Sequence, residues 1–438
     1  NELLLSALLK ELPPPPSPGP DKDLGNRESD FLLPDMIKYN HQRQKGYNTM
    51  AEKVVGIIAE WNPFHRGHED MVHSVRKDYG DPFIMAVMSG PFVQRGEPAL
   101  FDSWTRARWA VEGGVDAVFS LPVLCVLQSA DRFGSYGVRL LASMGAEILA
   151  FGTESLSEED LWDAASFSLT PSRKKAFHEA LGGGLSYARA SYEAMKSHSP
   201  FLAEELSKPN NLLGFRYAET ILQNHFPMDI HVVHRNMNCN ISATTARKEL
   251  LRGEKTSLLP PKGAEEAAEL IKSGCHTDFS RYEDACLLAS RLVSESDLSE
   301  TGLFSEGLEH KWFRETGNED YEAMLSRIKS KRYLYSRLKR IGAQLLLSGR
   351  GPSPFSAPPL PSYARLLALR RSKSSFLNLI PIPVITSMAR ALKKADANTR
   401  LSLEMEIRAS DIRSWCQHSP AYRKGRQEFY HSPLIVNY

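Results

Sequence analysis

Apolar runs and helix-like segments alternate along the chain from Lys53 to about Gly253. Continuous apolar runs such as VVGIIAEW, PFIMAVMSG, VDAVFSLP and AEILAFGTES are typical of strands that are covered on both faces. Helical periodicity follows each of the first three runs, for example in GHEDMVHSVRKDYG, which ends at a glycine. This alternation predicts an α/β fold with right-handed crossovers and a parallel sheet. Ligands of such sheets bind at the carboxyl ends of the strands, where this sequence has polar residues and glycines.

The composition is that of a globular protein. The 438 residues are enough for two or three domains with separate cores. A formal net charge of +2 is nearly neutral, so a nucleic-acid partner would require a local basic patch. Five scattered cysteines without a CxxC pair favour a reduced, cytoplasmic setting over a disulfide framework. No apolar run approaches the roughly 18 residues of a membrane span, so no membrane partner is expected.

Residues 1–49 differ in character from the rest of the chain. A short apolar stretch is followed by the proline run Pro13–Pro16 and polar segments, without the small-residue cleavage site of a signal peptide. Proline runs favour extended conformations and discourage packing. Because the globular pattern starts just after Met50, we expect a disordered extension over residues 1–49.

The segment GIIAEWNPFHRGH places two histidines directly after the first predicted strand. Asn62 and Pro63 predict a turn, and Gly67 would let the backbone approach a ligand at the start of the next helix. His65 and His68 are three residues apart, so they would point the same way on a helical turn. Two imidazoles beside helix amides suit the stabilisation of negative charge that develops at phosphorus. The alternative is one histidine that caps the helix and one that packs in the core.

NPFHRGH resembles the HxGH signature of the nucleotidyltransferase superfamily. The blocks SGPFVQRGEPALFDSWTRARWAVEGG, QSADRFGSYGVRLLASMG, FGTES and KPNNLLGFRY resemble, in the same order, those of the bacterial tRNA(Met) cytidine acetate ligase family. This likeness extends from about Val54 to Arg247. It implies a Rossmann-like nucleotidyltransferase domain over residues 50–255, followed by a mostly α-helical C-terminal domain over residues 256–438.

The resemblance implies an activity and a set of site residues. Members of the family activate acetate with ATP to acetyl-adenylate, then pass the acetyl group to the N4 amine of the wobble cytidine of elongator tRNA(Met). His65 and His68 would be catalytic, and Mg²⁺ is expected to accompany ATP without a dedicated metal site. The implied ATP-binding residues are Ile58, Ala59, Glu60, Trp61, Asn62, Pro63, Phe64, His65, Arg66, Gly67, His68, Glu69, Asp70, Met71, Gly152, Asn210 and Arg235.

Two further segments carry candidate substrate contacts. Gln94, Arg95 and Glu97 lie in a predicted loop at the carboxyl end of a strand, where loops usually serve ligands; alternatively, the glycines and prolines of SGPFVQRGEPA only shape the loop. In ISATTARKEL, Ser242 or Thr244 would cap a helix that carries Arg247. This segment resembles the serine-threonine-arginine motif that grips phosphates across the superfamily, and the alternative is an ordinary capped surface helix.

Three departures from the family pattern concern details of substrate contact. Pro91 stands where the family usually has asparagine, and Ser120 stands where it usually has glutamate. The segment NMNCN after Arg235 is shorter than the usual linker. None of the three affects the nucleotide motif.

YEAMLSRIKSKRYLYSRLKRIGAQLLLSG, in the C-terminal part, predicts a basic helix that contacts RNA. Leu334, Leu338, Ile341 and Leu345 would form its buried stripe. Basic side chains contact phosphates and tyrosines can stack on bases, although a solvated helix face would have the same composition. The candidate tRNA-binding residues are Lys329, Lys331, Arg332, Arg337, Lys339 and Arg340.

The sequence therefore predicts an ATP-dependent acetate–tRNA ligase. A small-molecule adenylyltransferase would share HxGH but would not need the basic segment. A non-catalytic RNA-binding protein that retains a nucleotide pocket is the alternative outside enzymes. Acetate-dependent exchange of pyrophosphate into ATP would separate the three.

Overall fold

The fold is built around a β-sheet whose central strands are parallel. The computed structural model describes residues 52–184, 187–234, 242–330 and 332–437. The strands in the first half of the chain are β1 (Val54–Ala59), β2 (Phe83–Ser89), β3 (Phe92–Val93), β4 (Glu97–Pro98), β5 (Ala117–Leu121), β6 (Ile148–Thr153) and β7 (Asp229–His234). β5, β2, β1, β6 and β7 are neighbours in that order and pair in parallel. β3 and β4 form a separate antiparallel hairpin. The predicted strands and the parallel sheet are confirmed, and the predicted extension over residues 1–49 lies outside the described residues.

Helices connect these strands as the sequence pattern predicted. Asp102 caps the second helix and accepts a hydrogen bond from the Thr105 N–H at 2.8 Å. The helices of this half are α1 (Arg66–Tyr79), α2 (Ser103–Glu112), α3 (Val123–Val126), α4 (Ala130–Ser143), α5 (Glu158–Ser168), α6 (Pro171–Gly182), α7 (Tyr187–Lys196), α8 (Pro200–Glu205), α9 (Pro209–Gln223) and α10 (Ala243–Leu251).

The second half of the chain is mostly helical, as predicted, but it also adds strands to the sheet. Its elements are α11 (Pro261–Ser273), α12 (Phe279–Arg291), α13 (Glu295–Glu300), α14 (Leu308–Glu315), α15 (Tyr321–Ile328), α16 (Tyr335–Ser348), β8 (Ala364–Arg370), β9 (Val384–Ile385), α17 (Met388–Lys394), α18 (Ala397–Trp415), α19 (Gln427–Tyr430) and β10 (Leu434–Val436). Short 3₁₀ segments span Arg371–Leu379 and Pro420–Tyr422.

β8 is the strand that ties the second half to the first. It pairs antiparallel with β5 on one side and parallel with β9 and β10 on the other. β8 was not predicted from the sequence, because a short apolar run such as ARLLALR does not distinguish a buried strand from a buried helix. The domain boundary at residue 255 stays a prediction, and the second half completes the sheet of the first.

Two hydrophobic clusters cover the two faces of the sheet. Alternate residues of β2 belong to different clusters: Phe83, Met85 and Val87 pack into one, and Ile84 and Met88 pack into the other. A strand buried on both faces must be apolar at every position, which explains its continuous apolar sequence. A third cluster joins the C-terminal helices and reaches Phe92 of the β3–β4 hairpin.

Candidate active site

The loop after β1 lies at the topological switch point of the sheet. From β1 the chain runs outward through β2 and β5, then returns to β6, which pairs with β1 on its other side. Such a reversal leaves a crevice above the carboxyl ends of the two central strands, where doubly wound sheets bind ligands. At this crevice, the loop Glu60 to His65 follows β1, and Gly152 and Thr153 are the last residues of β6.

His65 and His68 lie face to face at the first turn of α1. Their ring centroids are 3.5 Å apart and their planes differ by 15°. His65 is the N-cap residue, and its backbone N–H donates to Nδ1 of His68 at 3.2 Å. Because Nδ1 accepts this bond, the neutral ring of His68 carries its proton on Nε2. The structure brings the two histidines together as the spacing predicted, and their catalytic role stays a prediction.

Aromatic side chains support the histidine pair. Phe64 is fully buried, and its ring lies 5.3 Å from that of Trp61 and 5.6 Å from that of His68. A Cβ at Gly113, just after α2, would lie 2.4 Å from the Phe64 ring. Only glycine at position 113 therefore lets Phe64 take this position beside His68.

Arg106 fixes the backbone at the start of the loop that follows β1. It is 0% exposed, and its guanidinium donates to the carbonyls of Glu60 at 2.6 Å, Ser89 at 3.0 Å and Gly90. A buried guanidinium needs several acceptors to offset its lost hydration. The Glu60 carbonyl directly follows β1, and the other two lie at the end of β2, so Arg106 ties the two strand ends together. Arg106 was not predicted from the sequence, because nothing in TRARW distinguishes it from a surface arginine.

The β3–β4 hairpin lies against the loop and carries the predicted Gln94, Arg95 and Glu97. The backbone N–H of Gln94 donates to Oε1 of Glu60 at 2.6 Å. The Gln94 side chain donates to the carbonyl of Gln128 at 2.9 Å, which fixes it within the fold. Arg95 is exposed at the turn of the hairpin. Of the three, Arg95 is therefore the side chain most open to a substrate.

Arg247 of helix α10 contacts the loop that follows β1. Ser242, one of the two predicted caps, accepts a hydrogen bond from the Thr245 N–H, whereas Thr244 is exposed. Arg247 donates to the carbonyl of Asn62 at 2.6 Å and lies 3.9 Å from the carboxylate of Glu97. Burial lowers the pKa of its guanidinium. The structure thus joins two predicted motifs that are 185 residues apart.

The carboxylate of Glu154, just after β6, binds Asn210. Glu154 accepts hydrogen bonds from the Asn210 side chain at 2.7 Å and from the backbone N–H groups of Asn210 and Asn211 at 3.2 and 2.9 Å. Asn211 is fully buried and accepts from the Glu154 N–H at 3.0 Å. Glu154 and Asn211 were not predicted from the sequence, although they lie two and one residues from the predicted Gly152 and Asn210. Together they place the N-terminus of α9 beside Gly152.

The other predicted ATP-binding residues differ in burial and in their contacts. Ile58 packs towards Gly137 of α4, Ala59 is buried, Met71 packs on the core and Asp70 is exposed. Arg66 donates through its backbone N–H to Leu258 at 2.8 Å and through Nε to Leu259 at 3.3 Å. Glu69 is partly buried in the first turn of α1, and Pro63 is buried in the loop. Arg235 lies outside the described residues.

The predicted basic helix is wrong in extent. Residues 329, 330 and 332–334 lie between α15 and α16, so among the candidate residues that the structure describes only Arg337, Lys339 and Arg340 are helical. Lys329 is the C-cap residue of α15, Arg332 lies between α15 and α16, and Lys331 lies outside the described residues. Leu334 is 63% exposed, because it precedes α16 instead of continuing its stripe. Leu338, Ile341 and Leu345 are buried as predicted.

The basic residues differ in how free they are to contact RNA. Arg332 lies 2.8 Å from the carboxylate of Glu306, and Lys339 lies 3.7 Å from that of Glu97. Lys329 and Lys339 lie 6.0 and 5.3 Å from the ring centre of Tyr335. Tyr333, by contrast, is 7% exposed and cannot offer its ring to a base.

The strand order and the motif at the switch point define an α/β nucleotidyltransferase. Residues 52–428 match the HIGH Nucleotidyl Transferase family. The tRNA(Met) cytidine acetate ligase of Acetivibrio thermocellus is 31% identical over 88% of this chain and 100% of that protein. The ligase of the same name from Listeria monocytogenes serotype 4b (strain CLIP80459) is 32% identical over the same shares. The chain belongs to the tRNA(Met) cytidine acetate ligase family of HIGH nucleotidyltransferases.

Solved structures share the fold over the same length. A crystal structure of Thermotoga maritima TmcAL bound with alpha-thio ATP superposes with a TM-score of 0.80 at 28% identity, covering 88% of this chain and 100% of that one. The apo form of the same protein also has a TM-score of 0.80, at 26% identity. Within the described ranges, none of the helices has the length and apolar character to cross a membrane.

Proposed function

We propose that this chain activates acetate with ATP and transfers the acetyl group to the N4 amine of the wobble cytidine of elongator tRNA(Met). The observation that carries the proposal is the match to tRNA(Met) cytidine acetate ligases over their whole length. The convergence of the HxGH loop, Arg247 and the β3–β4 hairpin at the switch point supports it. With tRNA and ATP as substrates, the protein acts in the cytoplasm.

The first step is an attack at phosphorus. A carboxylate oxygen of acetate forms a bond to the α-phosphorus, the bond to the bridging oxygen of the β-phosphate breaks, and pyrophosphate leaves with the electron pair. His65, His68 and the N-terminal amides of α1 stabilise the negative charge that develops on the α-phosphate. Arg247 donates to the carbonyl of Asn62 in the same loop, and its charge would balance that of the outer phosphates.

Mg²⁺ would accompany ATP and would be held through the phosphates. In the part of the chain that the structure describes, there is no group of three or more His, Cys, Asp or Glu that could hold a metal ion. Hard oxygen ligands and bound water suit Mg²⁺, which is commonly held through substrate phosphates and few protein groups.

The second substrate approaches over α16. Lys329, Arg337 and Lys339 lie beside the turn and the first half of this helix, and the β3–β4 hairpin connects the helix to the nucleotide loop. Basic side chains at this place bind phosphates of the RNA without regard to sequence. An adenylyltransferase for small molecules needs no such surface, which favours the tRNA ligase.

Exchange of labelled pyrophosphate into ATP tests the proposal. The purified protein should catalyse exchange only when acetate is present, and should then acetylate elongator tRNA(Met) transcripts but not transcripts with uridine at the wobble position. Exchange that depends on another small acceptor would identify an adenylyltransferase. Absence of exchange together with RNA binding would identify a non-catalytic protein.

A further inference from the structure

Glu60 occupies the junction between the nucleotide loop and the β3–β4 hairpin. It follows β1 directly, and its Oε1 accepts the backbone N–H of Gln94 at 2.6 Å. The residue is partly buried, and its second carboxylate oxygen has no hydrogen bond to any of the residues that the structure describes. One oxygen is thus held by the hairpin and the other is left for a ligand.

The position of Glu60 is rigid. Its carbonyl accepts from Arg106 at 2.6 Å and from the Ser89 hydroxyl at 3.4 Å, so the main chain is fixed from β2 and α2. The side chain is fixed from the hairpin. A catalytic group needs such support, because a small error in its placement greatly slows a reaction.

The surroundings of Glu60 suit its carboxylate to the role of a proton acceptor. Burial raises the pKa of its carboxyl group, and Glu97 adds to this, whereas Arg95, Arg247 and the backbone N–H of Gln94 lower it. Arg106 of α2 and Tyr217 of α9 are the other titratable groups close enough to interact with it. The outcome is a carboxylate more basic than free glutamate that still lies in the field of the cations Arg95 and Arg247, as a general base at neutral pH requires.

Other carboxylates at this edge are already engaged. Both oxygens of Glu97 face cations, Arg247 at 3.9 Å and Lys339 at 3.7 Å. Both oxygens of Glu154 accept N–H groups at the start of α9. Glu60 differs from both in having an oxygen without such a partner among the described residues.

We propose that Glu60 is the catalytic base of the acetyl transfer, which accepts the proton lost by the N4 amine of cytidine. The inference rests on the proposed function. The amine lone pair is conjugated with the pyrimidine ring, so the nitrogen is a weak nucleophile and becomes acidic only as it attacks. Its nitrogen forms a bond to the acetyl carbon of acetyl-adenylate, the bond from that carbon to the phosphate oxygen breaks, and AMP leaves with the electron pair. The proton passes from nitrogen to the free oxygen of Glu60, and then to solvent.

Separate assays of the two steps test this role with Glu60→Gln, which keeps the shape and removes the base. Acetate-dependent pyrophosphate exchange without tRNA reports the first step. Single-turnover acetylation of tRNA by enzyme preloaded with acetyl-adenylate reports the second, at several pH values. We expect transfer to fall by about 10²-fold or more, at least tenfold further than exchange, and to lose its rise with pH. Glu60→Asp should recover part of the transfer rate.

Glu406→Gln is the matched control, because Glu406 is also a buried carboxylate with a raised pKa but lies on α18. The ratio of transfer to exchange should not change in this variant. If Glu60→Gln lowers exchange as much as transfer, or if the pH profile of transfer is kept, Glu60 is not the base. Wild-type protein without acetate-dependent exchange would instead refute the proposed function, and this inference with it.

Discussion

The carboxylate of Glu97 lies 3.9 Å from the guanidinium of Arg247. Its other oxygen lies 3.7 Å from the ammonium of Lys339 on α16. One carboxylate therefore stands between a cation of the nucleotide loop and a cation of the surface proposed to bind RNA. The two sites are linked through the β3–β4 hairpin, so a change in one cation alters the charge that the other experiences.

Replacing Glu97 with glutamine should strengthen RNA binding. Lys339 would lose its carboxylate partner and become free to contact a phosphate, so tRNA should bind up to about fivefold more tightly. The slope of log affinity against log salt should steepen by about one. Fluorescence anisotropy over a salt series measures both. Glu404→Gln, at an exposed carboxylate of α18, is the control; weaker binding by the Glu97 variant would contradict a simple charge effect.

Removing the imidazole of His68 should slow adenylation. We expect His68→Ala to lower acetate-dependent pyrophosphate exchange by about 10²-fold, because a donor to the developing charge on phosphorus is lost. His73→Ala, at an exposed histidine of the same helix, should exchange at the wild-type rate. A His68 variant with the same melting temperature and normal exchange would remove this residue from the mechanism.

A methyl group at Gly96 should displace the hairpin from α16. Gly96 has φ +84°, and an added Cβ would lie 2.5 Å from the backbone nitrogen of Arg340. Gly253 also has a positive φ, +72°, but no atom lies within 4 Å of the place that a Cβ would take there. Gly96→Ala should therefore be less stable than Gly253→Ala by about 1–3 kcal/mol, the usual cost of overpacking. Denaturant unfolding measures the difference; equal losses would show that the hairpin yields freely.

Glu406 should make stability fall as pH rises. It is 1% exposed, and burial, aided by Glu428 and opposed by Arg365, raises the pKa of its carboxyl group from 4.5 to about 8. The unfolded chain therefore releases this proton near pH 4.5 and the folded chain only near pH 8, so folding becomes less favourable across that window. Glu406→Gln should gain stability relative to wild type between about pH 5 and 8. Melting curves at both ends test this, and a constant difference would refute it.

Local patterns in the sequence identified much of the fold and the centre of the site. The continuous apolar run before NPFHRGH predicted β1, and the three-residue spacing predicted that His65 and His68 meet. The sequence offered Ser242 as a possible cap, because a cap acts on residues two or three positions ahead. Signals of this kind operate within one helical turn or one strand.

Contacts between distant segments followed only from the tertiary structure. Arg247 reaches the carbonyl of Asn62, Glu97 reaches Lys339, and β8 pairs with β5 from the far end of the chain. Arg106 looks like a surface arginine in the sequence, yet it is fully buried among strand-end carbonyls. The period of a helix or strand determines which face a residue occupies, but the path of the whole chain decides what that face meets. The sequence therefore predicted the motif, whereas only the tertiary structure showed which distant residues position the motif and set the charge around it.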